Sequence, residues 1–171
     1  MNKYYLKMNS DKTEIMILHP RSLSHNVISG MLYNSKCMRF TKECKFLGVY
    51  LYPCLTSDSP VNYIISVCQL KLKGIRRIRH LMTCKDAETF IKAVIFSKLN
   101  YCNILYLNIT AQNLNKLQKL QNSAVRLIFN LQARESIAQK FIDLELLRVD
   151  QSIVFTCLVY VHRFFQNKVP E

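Results

Sequence analysis

Apolar positions recur along this chain with two different periods, and the change comes about a third of the way in. From Tyr5 to Tyr52 they fall in short runs broken by polar residues. Thr13 to His19, Val27 to Tyr33, Cys37 to Phe40 and Lys45 to Tyr52 read as strands, because short runs rich in β-branched and aromatic residues suit a pleated surface. The clearest of them is the last, KFLGVYLY. Asn9, Ser10 and Asp11 predict a turn after the end of a first helix, and Asn34, Ser35 and Lys36 link two strands that can pair, since short polar side chains bond to nearby backbone. Pro53 to Pro60, PCLTSDSP, fits neither period and predicts a linker.

Beyond it the spacing is helical. Val61, Ile64, Ile65, Cys68, Leu72 and Ile75 form one stripe, while Lys73, Arg76, Arg77 and His80 project from another side. Asp86 to Leu107 is apolar on nearly every side, which predicts a helix inside a bundle. Tyr101 within it reads as a core tyrosine with a satisfied hydroxyl, or alternatively as a ring that stacks on a base. Thr110 is placed to cap a further helix. Leu114, Leu117, Ala124, Val125, Ile128 and Leu131 occupy one side of that helix, and Asn115, Lys119, Asn122 and Arg126 the other, a pattern that by itself describes a solvated surface helix. A polar break at Gln132 to Ser136 precedes two more apolar helical segments, Ile137 to Leu147 and Ile153 to Phe165. The predicted fold class is α+β: a small strand-containing part over residues 1–52, a linker over 53–60, and a predominantly α-helical bundle over 61–171.

Charge sharpens this picture. The 171 residues carry a formal net charge of +13, which favours a polyanionic partner, nucleic acid first and an anionic membrane surface second. No acidic residue lies between Asp58 and Asp86, whereas Lys71, Lys73, Arg76, Arg77, Arg79 and Lys85 do. A cationic run usually describes a solvated face, but one without compensating carboxylates repels itself and gains from phosphate. Lys119 and Arg126 are further candidates for phosphate contact. The seven cysteines are odd in number and scattered, so they read as reduced thiols of an intracellular protein, nuclear or cytoplasmic, rather than as a disulfide framework. His19, His25, His80 and His162 stand at no metal-ligand spacing to them. The polar start MNKYYLKMNSDK is not a signal peptide, and the apolar run Ala93 to Ile109 is interrupted by Lys98, Asn100, Asn103 and Asn108, against a membrane span.

Particular words in the sequence go further than pattern. Leu99, Asn100, Tyr101, Cys102 and Asn103, followed by Leu114, Leu117, Gln118, Gln121, Asn122, Ala124, Arg126 and Leu127, resemble the L-x-Y-C-N … L-x-x-L-Q-x-x-Q-N-x-A-x-R-L pattern downstream of the catalytic domain in LINE-type (non-LTR) retrotransposon reverse transcriptases. Leu6, Asn9, Lys12, Thr13 and Glu14 are similar to the segment that follows the catalytic hairpin of the palm in that family. Phe46, Leu47, Gly48 and Val49 resemble its primer-holding hairpin; the residues themselves leave Gly48 equally readable as a bulge or a tight packing point. Tyr52 stands where the family continues with an aspartate. Leu144, Leu147 and Val149 resemble its L-H-W-L-P-V motif, but Glu145, Leu146 and Arg148 replace the His, Trp and Pro, and Ser152 replaces a following Arg.

The resemblance implies the end of a palm, a thumb and C-terminal helices, with the palm and fingers of a reverse transcriptase as possible partners beside RNA or DNA. It places Lys12 on the triphosphate side and the basic residues of the first helix on the template and primer duplex. The family's polymerisation requires paired carboxylates holding magnesium. This sequence has no Asp-Asp pair, so neither polymerase activity nor a bound cofactor is expected. Asp86 with Glu88 reads instead as a helix start, where acids meet the macrodipole favourably. Two other readings stand beside the nucleic-acid one: a helical protein-interaction module, and a mobile-element remnant with no selected function.

Overall fold

The computed structural model describes Asn9 and residues 13–18, 31–33, 36–53 and 58–166. The fold is α+β and mostly helical, as the change of period predicts. It divides into two compact units, Met1–Thr56 and Ser57–Glu171. Lys12, the residues before it other than Asn9, His19 and residues 27–30 lie outside the described residues.

Among the described residues the first unit holds five short strands: β1 Glu14–Ile15, β2 Met31–Tyr33, β3 Lys36–Phe40, β4 Cys44–Phe46 and β5 Val49–Leu51. β3 is central in a three-stranded sheet, parallel to β1 through Glu14 opposite Arg39 and antiparallel to β2 through Leu32 opposite Cys37. The expected single strand over Lys45 to Tyr52 is instead a hairpin, with Phe46 opposite Val49. Its turn is Leu47 and Gly48, at φ 46° and 85°. Two successive left-handed residues match the twist of a tight hairpin, so Gly48 is there for its positive φ rather than for a bulge.

The second unit begins with α1, Asp58–Ile78, continued by a 3₁₀ turn at Arg79–Leu81. α2, Cys84–Ile91, starts at Thr83, which accepts from the Asp86 N–H while Asp86 accepts in return from the Thr83 backbone. This reciprocal cap satisfies two otherwise unpaired donors, and Asp86 serves the helix start, as its position predicts. The helix then widens into a π-helical stretch, Lys92–Phe96, and closes as α3, Ser97–Asn100. Cys102, at φ 51°, ends it and leads into a 3₁₀ turn, Asn103–Tyr106.

The expected continuous buried helix over Asp86 to Leu107 is therefore interrupted twice. Ile91, Ile95, Phe96, Leu99 and Tyr106 do enter the core, but Phe90, Tyr101 and Leu105 are turned outward. Tyr101, 51% exposed, is not the core tyrosine; Tyr106, 4% exposed, is. Burial pushes the Tyr106 hydroxyl up to about 12, and the neighbouring Cys102 adds to the shift.

α4, Ala111–Phe129, is the centre of the bundle. Thr110 caps it by accepting from the Asn113 N–H at 3.3 Å, and Asn130 ends it in the left-handed conformation at φ 52°. Leu117, Ala124, Val125 and Ile128 meet Val61, Cys68, Leu72 and Ile75 of α1 in one core. Each such branched side chain, fully buried, stabilises by roughly 1.5–3 kcal/mol. α5, Ala138–Asp143, and α6, Val149–Phe165, complete the unit. α5 is shorter than its apolar segment and α6 begins earlier, because Glu145 at φ 54° breaks the helix between them. Among the described residues no helix is long and apolar enough to cross a membrane, and Cys44, Cys68, Cys84, Cys102 and Cys157 are free thiols.

Candidate nucleic-acid interface

Positions three apart on a helix share a flank. On α1 that places Lys73 with Arg76, and on α4 it places Lys116 with Lys119. The four cations, with Gln69 and Ser123, line one groove whose floor is Ile65, Leu72 and Leu120. Among the described residues no carboxylate lines it. Such a channel concentrates positive potential over an apolar base, which suits a chain of phosphates. Lys73, Arg76 and Lys119 were candidates from sequence; Lys116 was not. Its signal was present all the same, as the residue one turn before Lys119 on the same flank.

The remaining candidates are distributed differently. Arg77 is exposed, one step round α1 from the groove. Lys71 lies on the opposite flank of α1: burial raises the pKa of the Cys68 thiol, and the charges of Lys98 and Lys71 lower it. Arg79 is turned into the protein. Its Nε donates to the Leu127 carbonyl at 2.8 Å, Nη2 to the Ile128 carbonyl at 2.6 Å and Nη1 to the Met82 carbonyl at 2.8 Å. Two of these are carbonyls at the C-terminus of α4, which lack helical partners and carry the negative end of the dipole. Arg79 thus closes a helix end rather than adding to the groove. Arg126 follows Lys119 by two turns on α4, but its side chain leaves the groove: its Nη2 donates to the Glu135 carbonyl at 3.4 Å, and Glu135, Asn122 and Gln151 line a separate cleft with it. In the first unit, Phe46 and Leu47 are exposed at the hairpin tip and Val49 opens its second strand.

The amides of α4 are structural. Gln118 donates from Nε2 to Gln121 Oε1 at 2.9 Å and to Asn122 Oδ1 at 2.8 Å, while its own Oε1 accepts from the Val149 N–H at 3.0 Å. Gln121 donates to the Leu147 carbonyl at 2.9 Å. Arg148 N–H, beside it, donates to Gln151 at 3.1 Å. Gln118 thus satisfies one N–H at the start of α6 from outside, and Gln151 another from within the helix. Asn103, 3% exposed, holds the same helix by donating to Ser152 Oγ at 3.1 Å, and Ser152 in turn donates to Asn100 at 3.4 Å. The odd run of Asn and Gln read from sequence is thus an internal bracket between α3, α4 and α6.

Elsewhere Glu88 pairs with Lys92 at 2.7 Å and Asp150 with Arg148 at 3.3 Å, and Asp143 pairs with Lys140 at 3.0 Å while accepting from Gln139 at 3.2 Å. No group of three or more potential metal ligands occurs among the described residues. No family model, curated protein or solved structure matches the chain.

Proposed function

We propose that the helical unit grips the phosphate backbone of RNA or DNA through the α1–α4 groove, as a non-catalytic, thumb-like counterpart of the LINE-type reverse transcriptase helices it resembles. The observation that carries this reading is the set of four cations from two helices, Lys73, Arg76, Lys116 and Lys119, around a groove without a carboxylate. Lysine and arginine on phosphate supply affinity and register without sequence preference. Among the described residues no aromatic ring lines the groove, so the grip there rests on charge rather than on base stacking.

Binding of labelled RNA and DNA duplexes by the intact chain across a salt series tests it. The logarithm of affinity falls with the logarithm of salt by about 0.9 for each duplex phosphate neutralised. The combined Lys73→Ala, Arg76→Ala and Lys119→Ala variant lowers both the affinity and that slope, whereas Lys71→Ala changes them little. Salt-independent binding, or a variant that binds like the parent, overturns the proposal. A second reading, a protein-interaction module, draws on a different surface, the outer face of α6.

A further inference from the structure

α6 carries two apolar stripes. Val149 and Ile153 are buried against the bundle. Val154, Leu158, Val161 and Phe165 follow one another at spacings of four, three and four on another side, and all are exposed. That alternation is the seam of a coiled coil. Between Val154 and Phe165 there is no acidic residue, and Arg163 carries the fixed charge.

The amount of surface decides what this means. The four seam side chains and the flanking Phe155 and Phe164 are between 46% and 79% exposed. An aromatic side chain buries about 150–250 Å², so the face offers area on the order of the ~800 Å² per partner of a stable interface. Lone exposed apolar residues are ordinary, but a contiguous face of this extent marks association.

We propose that this face docks a second copy of the chain, seam against seam, as an antiparallel pair about a twofold axis. A seam apolar along its length is complementary to itself, which an isologous contact requires. The antiparallel sense opposes the two helix macrodipoles and brings Phe165 of each copy beside Val154 of the other. The proposal does not depend on the nucleic-acid reading, and salt separates them. Screening the +13 charge of each copy strengthens an apolar dimer, while the same salt weakens phosphate binding.

Sedimentation equilibrium of the intact chain, at low and high salt over the micromolar range, reads the result. The expected outcome is a monomer–dimer equilibrium that tightens with salt. Leu158→Glu and, separately, Val161→Glu raise the dissociation constant about 100-fold or more, with helix content by circular dichroism unchanged because both side chains are exposed. A monomer under every condition overturns the proposal. So does a dimer indifferent to both substitutions, or assembly that continues past two copies.

Discussion

The two flanks of α4 carry polar residues in similar number and put them to opposite use. On one flank Gln118, Gln121 and Asn122 bond to one another and to the backbone that opens α6. On the other, Lys116 and Lys119 face Lys73 and Arg76 across a groove. An amide both donates and accepts, so amides can complete a network among themselves. An ammonium or guanidinium only donates, and four of them without a carboxylate cannot satisfy each other. The first flank is therefore finished by folding; on the second, among the described residues, only Lys116 has a partner, Asn113 Oδ1 at 3.1 Å, and the proposed grip assigns the other cations to phosphate. Arg76 and Arg79 repeat the contrast within one turn, since the carbonyls closing α4 give Arg79 the acceptors that Arg76 lacks.

Paired substitutions sharpen this contrast, and the arginines give the largest difference. Arg79→Met leaves three carbonyls without their charged donor and lowers unfolding free energy by about 3 kcal/mol, whereas Arg76→Met changes it by no more than ~0.5 kcal/mol. Urea denaturation followed by circular dichroism measures both. A smaller effect separates the flanks of α4. Gln121→Leu costs about 2 kcal/mol by orphaning the Leu147 carbonyl and one donor of Gln118; Lys119→Leu leaves stability nearly unchanged and weakens nucleic-acid binding. Equal losses in the two variants would erase the distinction between the flanks.

The smallest effect concerns an acid that folding has also engaged. Hydrogen bonds from the Thr83 side chain and backbone hold the Asp86 carboxyl below the usual carboxylate range. A depressed acid stabilises the fold above its unfolded pKa, about 4, and that contribution is lost as pH falls through the lower folded value. Thr83→Ala removes the cap, so the parent's stability advantage over this variant shrinks on acidification. An advantage that stays constant between neutral pH and the acid limb would remove Asp86 from the account.

The helical unit was legible wherever one face stayed in phase. The α1 stripe from Val61 to Ile75, the Thr110 cap and the Asp86 helix start could all be read from spacing, because each depends on residues within a turn or two. The periodicity of Lys45 to Tyr52 reads as one strand, since Leu47 lacks the asparagine or glycine that usually announces a left-handed turn residue, and only the family resemblance puts a hairpin at Phe46 to Val49. Arg79 looked like its neighbours because the carbonyls that hold it come from residues 127 and 128, far away in sequence. The same distance hid the use of Gln118 and Gln121. The groove was legible from its α1 side, through Lys73 and Arg76, and only half legible from α4.

The widened turn at Lys92–Phe96 has an evolutionary consequence. A π-helical turn accommodates one residue more than the α-helical turn around it, and such a segment is where a chain can lose or gain a single residue while the helices on either side keep the faces they bury. A homologue one residue shorter here would align with this chain only across a gap placed inside an apparently unbroken helix. Its Ile91 and Leu99 equivalents would still meet the same neighbours, although the count between them had changed.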